Sequence, residues 1–224
     1  MDANIQEYPF VAAIAYAKQL KGNGAILSRD WILTSGGAVA LLPDGEYDVL
    51  AGSNDFNKPA QWIRVWRILR HPEYVGWDYD IALVQAHGGI EFSQTVQPIN
   101  INPTFPETVD VTMLSYGANE HGTATLRKAP YTLISDNIDC IRLLREYKSK
   151  QIIWQRHGFC LIPPPGTERA QWSNDTGAPL VVGDQLFALF AYAEYEGVIN
   201  GGSVAIRVTS FTDWIEKVIA RWSY

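Results

Sequence analysis

The chain has 224 residues, a formal net charge of -6, and 47% hydrophobic, 12% aromatic and 19% charged residues, the composition of a folded protein with a sizeable core, which excludes intrinsic disorder. The acidic balance excludes a general nucleic-acid binder, because no basic cluster would release counterions from phosphates. No apolar run approaches the ~18 residues of a membrane helix, the longest being Phe187 to Ala193. Met1-Asp2-Ala3 is followed by polar residues, as in a cytosolic start or a mature chain carrying an added methionine.

In chain order, Tyr8 to Tyr16 is apolar and strand-like, Gly22-Asn23-Gly24 reads as a turn, and Ala25-Ile26-Leu27 opens a strand ended by Ser28-Arg29-Asp30. Trp31 to Thr34, Tyr47 to Leu50, Trp62 to Leu69 and Ile81 to Val84 are further short strands. Pro98 to Pro106 carries three prolines and reads as a linker. A second set follows at Val109 to Ser115, Tyr131 to Ile134, Phe159 to Ile162, Leu180 to Val182, Leu186 to Ala191 and Val204 to Val208. Short strands at this spacing, separated by Gly and Pro, indicate a sandwich or barrel. Arg142 to Arg156 has the only local basic excess and reads as a solvated loop. Phe211, Trp214, Ile215, Val218, Ile219 and Trp222 recur at helical spacing behind Ser210 as a cap, so their apolar face should pack on the body.

Cys140 and Cys160 permit one disulfide across a loop of about 20 residues, worth ~3 kcal/mol in the loop-entropy picture, or are two buried thiols. Together with His121 and His157 they have no metal-ligand spacing, so neither a metal nor a cofactor is expected. The remaining stretch of chemical interest is Asn174-Asp175-Thr176-Gly177-Ala178-Pro179 before Leu180-Val181-Val182. A hydroxyl acts as a nucleophile only beside a base that takes its proton, with donors aimed at the developing oxyanion.

That stretch resembles the Gly-Asp-Ser-Gly-Gly-Pro signature of the chymotrypsin-like serine proteases, with threonine in the place of serine. Gly24-Ala25-Ile26-Leu27-Ser28 resembles the family's Gly-Gly-Ser-Ile strand, and Trp31 to Ala38 resembles Trp-Val-Leu-Thr-Ala-Ala-His-Cys. His71-Pro72-Glu73-Tyr74 with Asp78 to Val84 is similar to the segment carrying the triad aspartate, Ser115-Tyr116-Gly117 to Gly-Trp-Gly, and Thr212-Asp213-Trp214-Ile215 to the closing helix. The resemblance spans nearly the whole chain. It implies an all-β fold of two six-stranded antiparallel β-barrels with a C-terminal helix. Residues 1–105 would form the first barrel, with the N-terminus reaching toward the second, residues 106–209 the second barrel, and residues 210–224 the helix, with a cleft between the barrels.

By the same resemblance the catalytic histidine falls on Gly37, the serine on Thr176, and the aspartate on Asp80. An aspartate orients an imidazole and abstracts no proton itself, so this pattern implies no hydrolysis. His71 and His87 flank the Asp80 strand at ordinary loop positions and are not expected to substitute. Asp80 itself should be hydrated or protonated. Asn174 stands at a glycine of the oxyanion hole, where a side chain is expected to be disfavoured. Ala170 falls at the base of the specificity pocket, and Ala191-Tyr192-Ala193 on its wall. The family's cysteine beside the histidine falls on Ala38 and its partner on Gly22, while Cys140 and Cys160 match a family pair, which implies a disulfide and an oxidising, extracellular destination. Asp175, the partner of a new amino terminus in active relatives, is expected to be satisfied by local backbone amides or water. The sole sequon, Asn174-Asp175-Thr176, is expected to be too buried for glycosylation.

Gly-for-His and Thr-for-Ser are most similar to the inactivated serine protease paralogues of the scabies mite, relatives of the dust mite group 3 allergens. That likeness implies a secreted protein of mite gut and faeces, a monomer that binds host complement or other serum defence proteins, with no nucleic-acid or membrane partner. The loop carrying Arg142, Arg145, Tyr147, Lys148, Trp154 and Arg156 is the first candidate binding surface. Asn54 to Trp62 and Glu194 to Asn200 are two others. An alternative is a pseudoenzyme that holds peptides in an altered cleft without cutting them.

Overall fold

The computed structural model describes residues 1–41, 43–117 and 124–222. Six strands close the first barrel in the order β1-β2-β3-β6-β5-β4. They are β1 (Val11–Tyr16), β2 (Gln19–Ile26), β3 (Trp31–Thr34), β4 (Tyr47–Ala51), β5 (Gln61–Arg70) and β6 (Ala82–Ala86). A two-residue parallel strand β7 (Asn100–Ile101) leads into the second barrel, formed by β8 (Thr108–Ser115), β9 (Arg127–Ile134), β10 (Gly158–Ile162), β11 (Pro179–Val182), β12 (Gln185–Ala193) and β13 (Ser203–Arg207). Their order is β11-β8-β9-β10-β13-β12, and the β11–β12 pairing closes it, with β7 added alongside β12. The result is two closed six-stranded antiparallel barrels and a C-terminal helix, as the sequence implied.

Strand alternation explains how so small a chain forms three apolar layers. Along β1, Ala12 and Ile14 point into the first barrel, while Val11, Ala13 and Ala15 face the seam between the barrels. That seam is the largest apolar cluster and includes Trp31, Leu33, Leu114, Tyr116, Leu189 and Ile206, with Phe211 and Ile215 from the tail. A third layer fills the second barrel around Phe159, Leu180 and Phe190. The first residues also reach across: Ala3 N–H donates to the Leu126 carbonyl at 3.0 Å.

Four local expectations are corrected. Gly22-Asn23-Gly24 is not a turn; β2 runs through it, and the reversal sits at Ala17 and Lys18, both with positive φ. The glycines are there for close packing, since a Cβ on Gly22 would lie 2.6 Å from the Thr176 carbonyl oxygen and 2.8 Å from Ala38 Cβ. Pro98 to Pro106 contains β7 and is no bare linker. Ser210 does not cap the tail helix α3 (Thr212–Trp222): it lies in the preceding 3-10 turn Val208–Phe211, and its hydroxyl donates to the Arg156 carbonyl. Arg142 to Arg156 is no solvated loop but holds the end of the helix α1 (Asp139–Leu143) and the whole of α2 (Tyr147–Trp154). Cys140 of α1 and Ile152 and Ile153 of α2 bury one face around the Cys140–Cys160 disulfide, leaving Arg142 and Lys148 exposed.

Asn23 holds the two barrels in register. It is fully buried, its N–H donates to the Thr176 carbonyl at 2.8 Å, and Nδ2 donates to Ser115 Oγ and to the Asn174 carbonyl at 3.1 and 3.0 Å. Its Oδ1 accepts from Tyr116 N–H at 2.8 Å and its carbonyl from Thr34 Oγ1 at 2.6 Å. Removing the carboxamide takes the Asn23 partner from the Tyr116 N–H just after β8 and from the Asn174 carbonyl. We expect Asn23→Ala to lower unfolding stability by about 3 kcal/mol or more, read from urea denaturation; a loss below about 1 kcal/mol would remove Asn23 from this role.

Candidate active site

A cleft of about 320 Å³ lies between the barrels, and its lining includes Gly37, Asp80, Thr176, Ala191, Tyr192 and Ala193. The three positions that the resemblance assigned to the triad therefore converge, although they come from the turn after β3, the segment before β6 and the turn before β11.

Each is held by its local backbone. Gly37 opens a one-turn 3-10 helix, Gly37–Val39, and its N–H donates to Asp80 Oδ1 at 2.7 Å. A Cβ built on Gly37 would stand 3.7 Å from both Asp80 Oδ1 and Thr176 Oγ1 and 3.8 Å from the Tyr74 hydroxyl, all ordinary contacts. Gly36 is tighter, with the Tyr74 ring 3.0 Å from its notional Cβ. Asp80 is set by Tyr79, whose φ of 51° is costly for a side-chain-bearing residue. Burial raises the Asp80 carboxyl to about 6, the amides of Gly37 and Gly36 opposing and nearby Asp78 assisting. The sequence reading of Asp80 as hydrated or protonated did not include those amides.

Thr176 Oγ1 shares a hydrogen bond of 2.7 Å with Ser35 Oγ, which in turn accepts from Ala38 N–H at 3.1 Å. Neither hydroxyl is a base at neutral pH. The other candidates for proton transfer are engaged elsewhere. His71 stacks on Tyr79 with 4.8 Å between ring centroids, His157 Nδ1 lies 2.9 Å from Asp78 Oδ1, and His87 lies against Trp66. His121 is outside the described residues. Sequence reasoning passed over Ser35 and Tyr74. Tyr74 sits behind the Gly36-Gly37 turn, and burial followed by the Asp80 charge pushes its hydroxyl up to about 12, so it stays protonated. No spacing in the chain signals either contact, because each joins residues far apart in the sequence.

Asn174 sits in the 3-10 turn Ser173–Asp175 with φ outside the left-handed region, against the expectation of a disfavoured backbone. The left-handed residue of this turn is Gly177, at φ 76°, where a Cβ would meet the Asn23 carbonyl and Thr34 Oγ1. The turn consumes its own amides: Asp175 N–H donates to Trp172 O, Ala178 N–H to Asp175 O, and Gly177 N–H to Phe190 O. Asn174 is half-buried within its sequon. Asp175 is buried and accepts from Trp172 N–H at 3.0 Å, a local amide, and from Ser115 Oγ at 2.7 Å, which had not been anticipated. Burial raises its carboxyl, the Ser115 and Trp172 donors opposing. The amino group of Met1 donates to the Lys128 carbonyl.

Ala170 does not share the cleft with Ala191, Tyr192 and Ala193. It lines a separate cavity of about 240 Å³ with Met1, Arg127, Tyr131 and Asp175. The buried Gln171 lines the same cavity, and its carboxamide donates to Tyr131 Oη and accepts from Ser203 Oγ, both at 2.9 Å. The candidate binding surface is also divided. Lys148 lines the cleft, Arg142 pairs with Asp139, and Arg145 lies over Tyr195, whereas Trp154 and Arg156 line a further cavity. Tyr147 packs edge-on against Trp154 at 5.8 Å. Asn54 to Trp62 is tied to the body, with Phe56 buried and Asn54 Oδ1 accepting from Ile5 N–H. Tyr195, Val198 and Ile199 leave 194–200 apolar and exposed.

The model of the Trypsin family matches residues 1–215. The chain belongs to the trypsin family. Similar sequences within it include a trypsin of Phaedon cochleariae, 23% identical over 237 residues, covering 96% of this chain and 85% of that protein. Trypsin 5G1 of Aedes aegypti is 24% identical over 222 residues, covering 96% and 81%. Vaa serine proteinase homolog 1 of Vipera ammodytes ammodytes is 24% identical over 237 residues, covering 98% and 85%. Neuropsin, a serine protease expressed in the limbic system of mouse brain, shares the fold at a TM-score of 0.80, with 20% identity over 97% of both chains.

The raised Asp80 carboxyl links the cleft to stability. Its folded value of about 6 lies above the ordinary 3.8, so between those values the native state binds more protons than the unfolded chain, and stability falls as pH rises through that window. Asn at this position keeps an acceptor for the Gly37 amide and removes the buried charge. Asp80→Asn should flatten the decline between about pH 4 and 6 and add about 2–3 kcal/mol at pH 7. Urea denaturation across pH checks this, and an unchanged slope would show that Asp80 does not titrate in that range.

Proposed function

We propose that this trypsin-family chain is a secreted serine protease homologue that does not cleave peptides and acts by binding. One observation carries the reading: Thr176 Oγ1 is paired with Ser35 Oγ, while Asp80 Oδ1 accepts from the Gly37 amide. An acyl transfer that starts from a hydroxyl needs a base next to it, and among the described residues the neighbours of Thr176 supply a second hydroxyl. Gly37 and Thr176, at the positions the resemblance gives to histidine and serine, support the same reading. So does the likeness to a viper protein named a serine proteinase homolog. The Cys140–Cys160 disulfide supports an extracellular destination.

The partners we propose are host complement components, with other serum defence proteins as the wider class, bound by a monomer in the setting of mite gut and faeces. The resemblance of Gly37 and Thr176 to the replacements in the scabies mite paralogues motivates that assignment. The exposed Arg142, Arg145 and Tyr147, with Lys148 at the cleft, provide cationic and aromatic groups for such a contact. A second reading is favoured by the cleft itself, whose lining adds Trp77 and Trp172 to Tyr192: a pseudoenzyme that holds a peptide there without cutting it.

Purified protein should turn over no peptide ester, and Thr176→Ser should remain inactive, because the substitution supplies no base. Ester turnover abolished by Thr176→Ala would refute the non-cleaving reading. Serum haemolysis should fall with added protein, and the triple variant Arg142→Glu, Arg145→Glu, Lys148→Glu should weaken that effect about tenfold. Unchanged haemolysis together with no complement component retained in a serum pull-down would remove complement as the target. Full inhibition by the triple variant would move the contact to another surface.

A further inference from the structure

Beneath the 138–156 segment, and away from the cleft, lies a cavity of about 300 Å³ that neither barrel's chemistry explains. Arg207, at the end of β13, lines it while only 2% exposed. Its guanidinium is clamped between the rings of Phe105 and Phe159, at 4.1 and 4.0 Å from their centroids. Nη1 donates to the Pro106 carbonyl at 3.1 Å, and Nε has no partner. Among the described residues Arg207 makes no salt bridge. A guanidinium carries five donors and a permanent charge, and burying it with one carbonyl as its hydrogen-bonded partner is costly.

The second cation of the cavity is Arg156. Its backbone takes a φ of 62°, a strained value for a side-chain-bearing residue, held by its N–H to the Ile153 carbonyl and by the Ser210 hydroxyl on its own carbonyl. The side chain lies over Phe105 at 5.7 Å. Burial, and then Arg156, lower Arg207 to about 10, with Glu107 opposing. Like charges are thus brought together. Of the two carboxylates at the wall, Asp136 is committed through Oδ1 to the amides of Ile138 and Asp139 at 2.7 and 2.6 Å, and Glu107 is an exposed residue that makes no salt bridge among the described residues.

We propose that this cavity binds an oxyanion, a carboxylate or a tetrahedral phosphate or sulfate group, between Arg207 and Arg156. A planar guanidinium held rigid by two rings is organised in advance for paired hydrogen bonds to such a group. The aromatic walls would take the apolar part of whatever carries the anion. The site is independent of the cleft and of whether the protein cleaves peptides.

The test is thermal unfolding and calorimetric titration of the whole protein with sodium sulfate, potassium phosphate and sodium succinate, each against sodium chloride at matched ionic strength. Saturable stabilisation beyond chloride is expected in wild type. It should weaken about tenfold in Arg156→Gln and disappear in Arg207→Met, which keeps an apolar stem between the rings. If Arg207→Met does not fold, the surface variant Arg156→Gln still decides the matter. Stabilisation by succinate as well as sulfate would identify a carboxylate-bearing ligand, and stabilisation by sulfate and phosphate alone a phosphate or sulfate ester; both sustain the proposal. A response no greater than chloride, or a wild-type response in Arg156→Gln, overturns it.

Discussion

The buried carboxamide of Asn23 is the constraint on which the cleft depends. One side chain and its own peptide groups reach β8 through Tyr116 and Ser115, the turn before β11 through Asn174 and Thr176, and β3 through Thr34. These partners are polar groups inside an apolar seam, where each would be costly alone. Gly177 then has no room for a side chain because the Asn23 carbonyl occupies its Cβ position. The distance between the Thr176 turn and the Asp80 segment follows from that packing, since each belongs to a different barrel.

Within this frame, residues at positions of chemical interest carry structural roles. Asp80 receives the amides that begin the Gly37–Val39 turn, much as a capping carboxylate serves a helix start. Ser35 connects the same turn to Thr176. Tyr74 closes the back of the slot with a hydroxyl that stays protonated. Asp175 is satisfied by Ser115 and Trp172 and opens onto the separate cavity that Ala170 also lines. The polar groups of the cleft thus satisfy one another.

Charge is distributed unevenly across a chain that is acidic as a whole. The segment from Asp139 to Arg156 concentrates arginine and lysine on the outer faces of two short helices, because their inner faces are taken up by the disulfide cluster. At its end, the exposed Arg156 and the buried Arg207 line one cavity. Lys148 of α2 lines the cleft, and Arg156, just past the end of that helix, lines the other cavity.

Short alternating strands and the segments around Trp31, Asp80 and Asn174 were enough to read two barrels, because barrel strands write their burial into a period of two residues. The C-terminal helix was legible for the same kind of reason, its apolar residues recurring at helical spacing. Gly22-Asn23-Gly24 misled, since a chain shows that glycine is present but not whether it serves a turn or a close approach. The helices at 139–154 were missed because their apolar residues become meaningful only once Cys140 and Cys160 meet. That Gly37, Asp80 and Thr176 belong together could be inferred from resemblance. What each touches, Ser35, Tyr74 and the Gly37 amide, only the tertiary structure decided, because those contacts join segments far apart in the chain and leave no periodic mark on it.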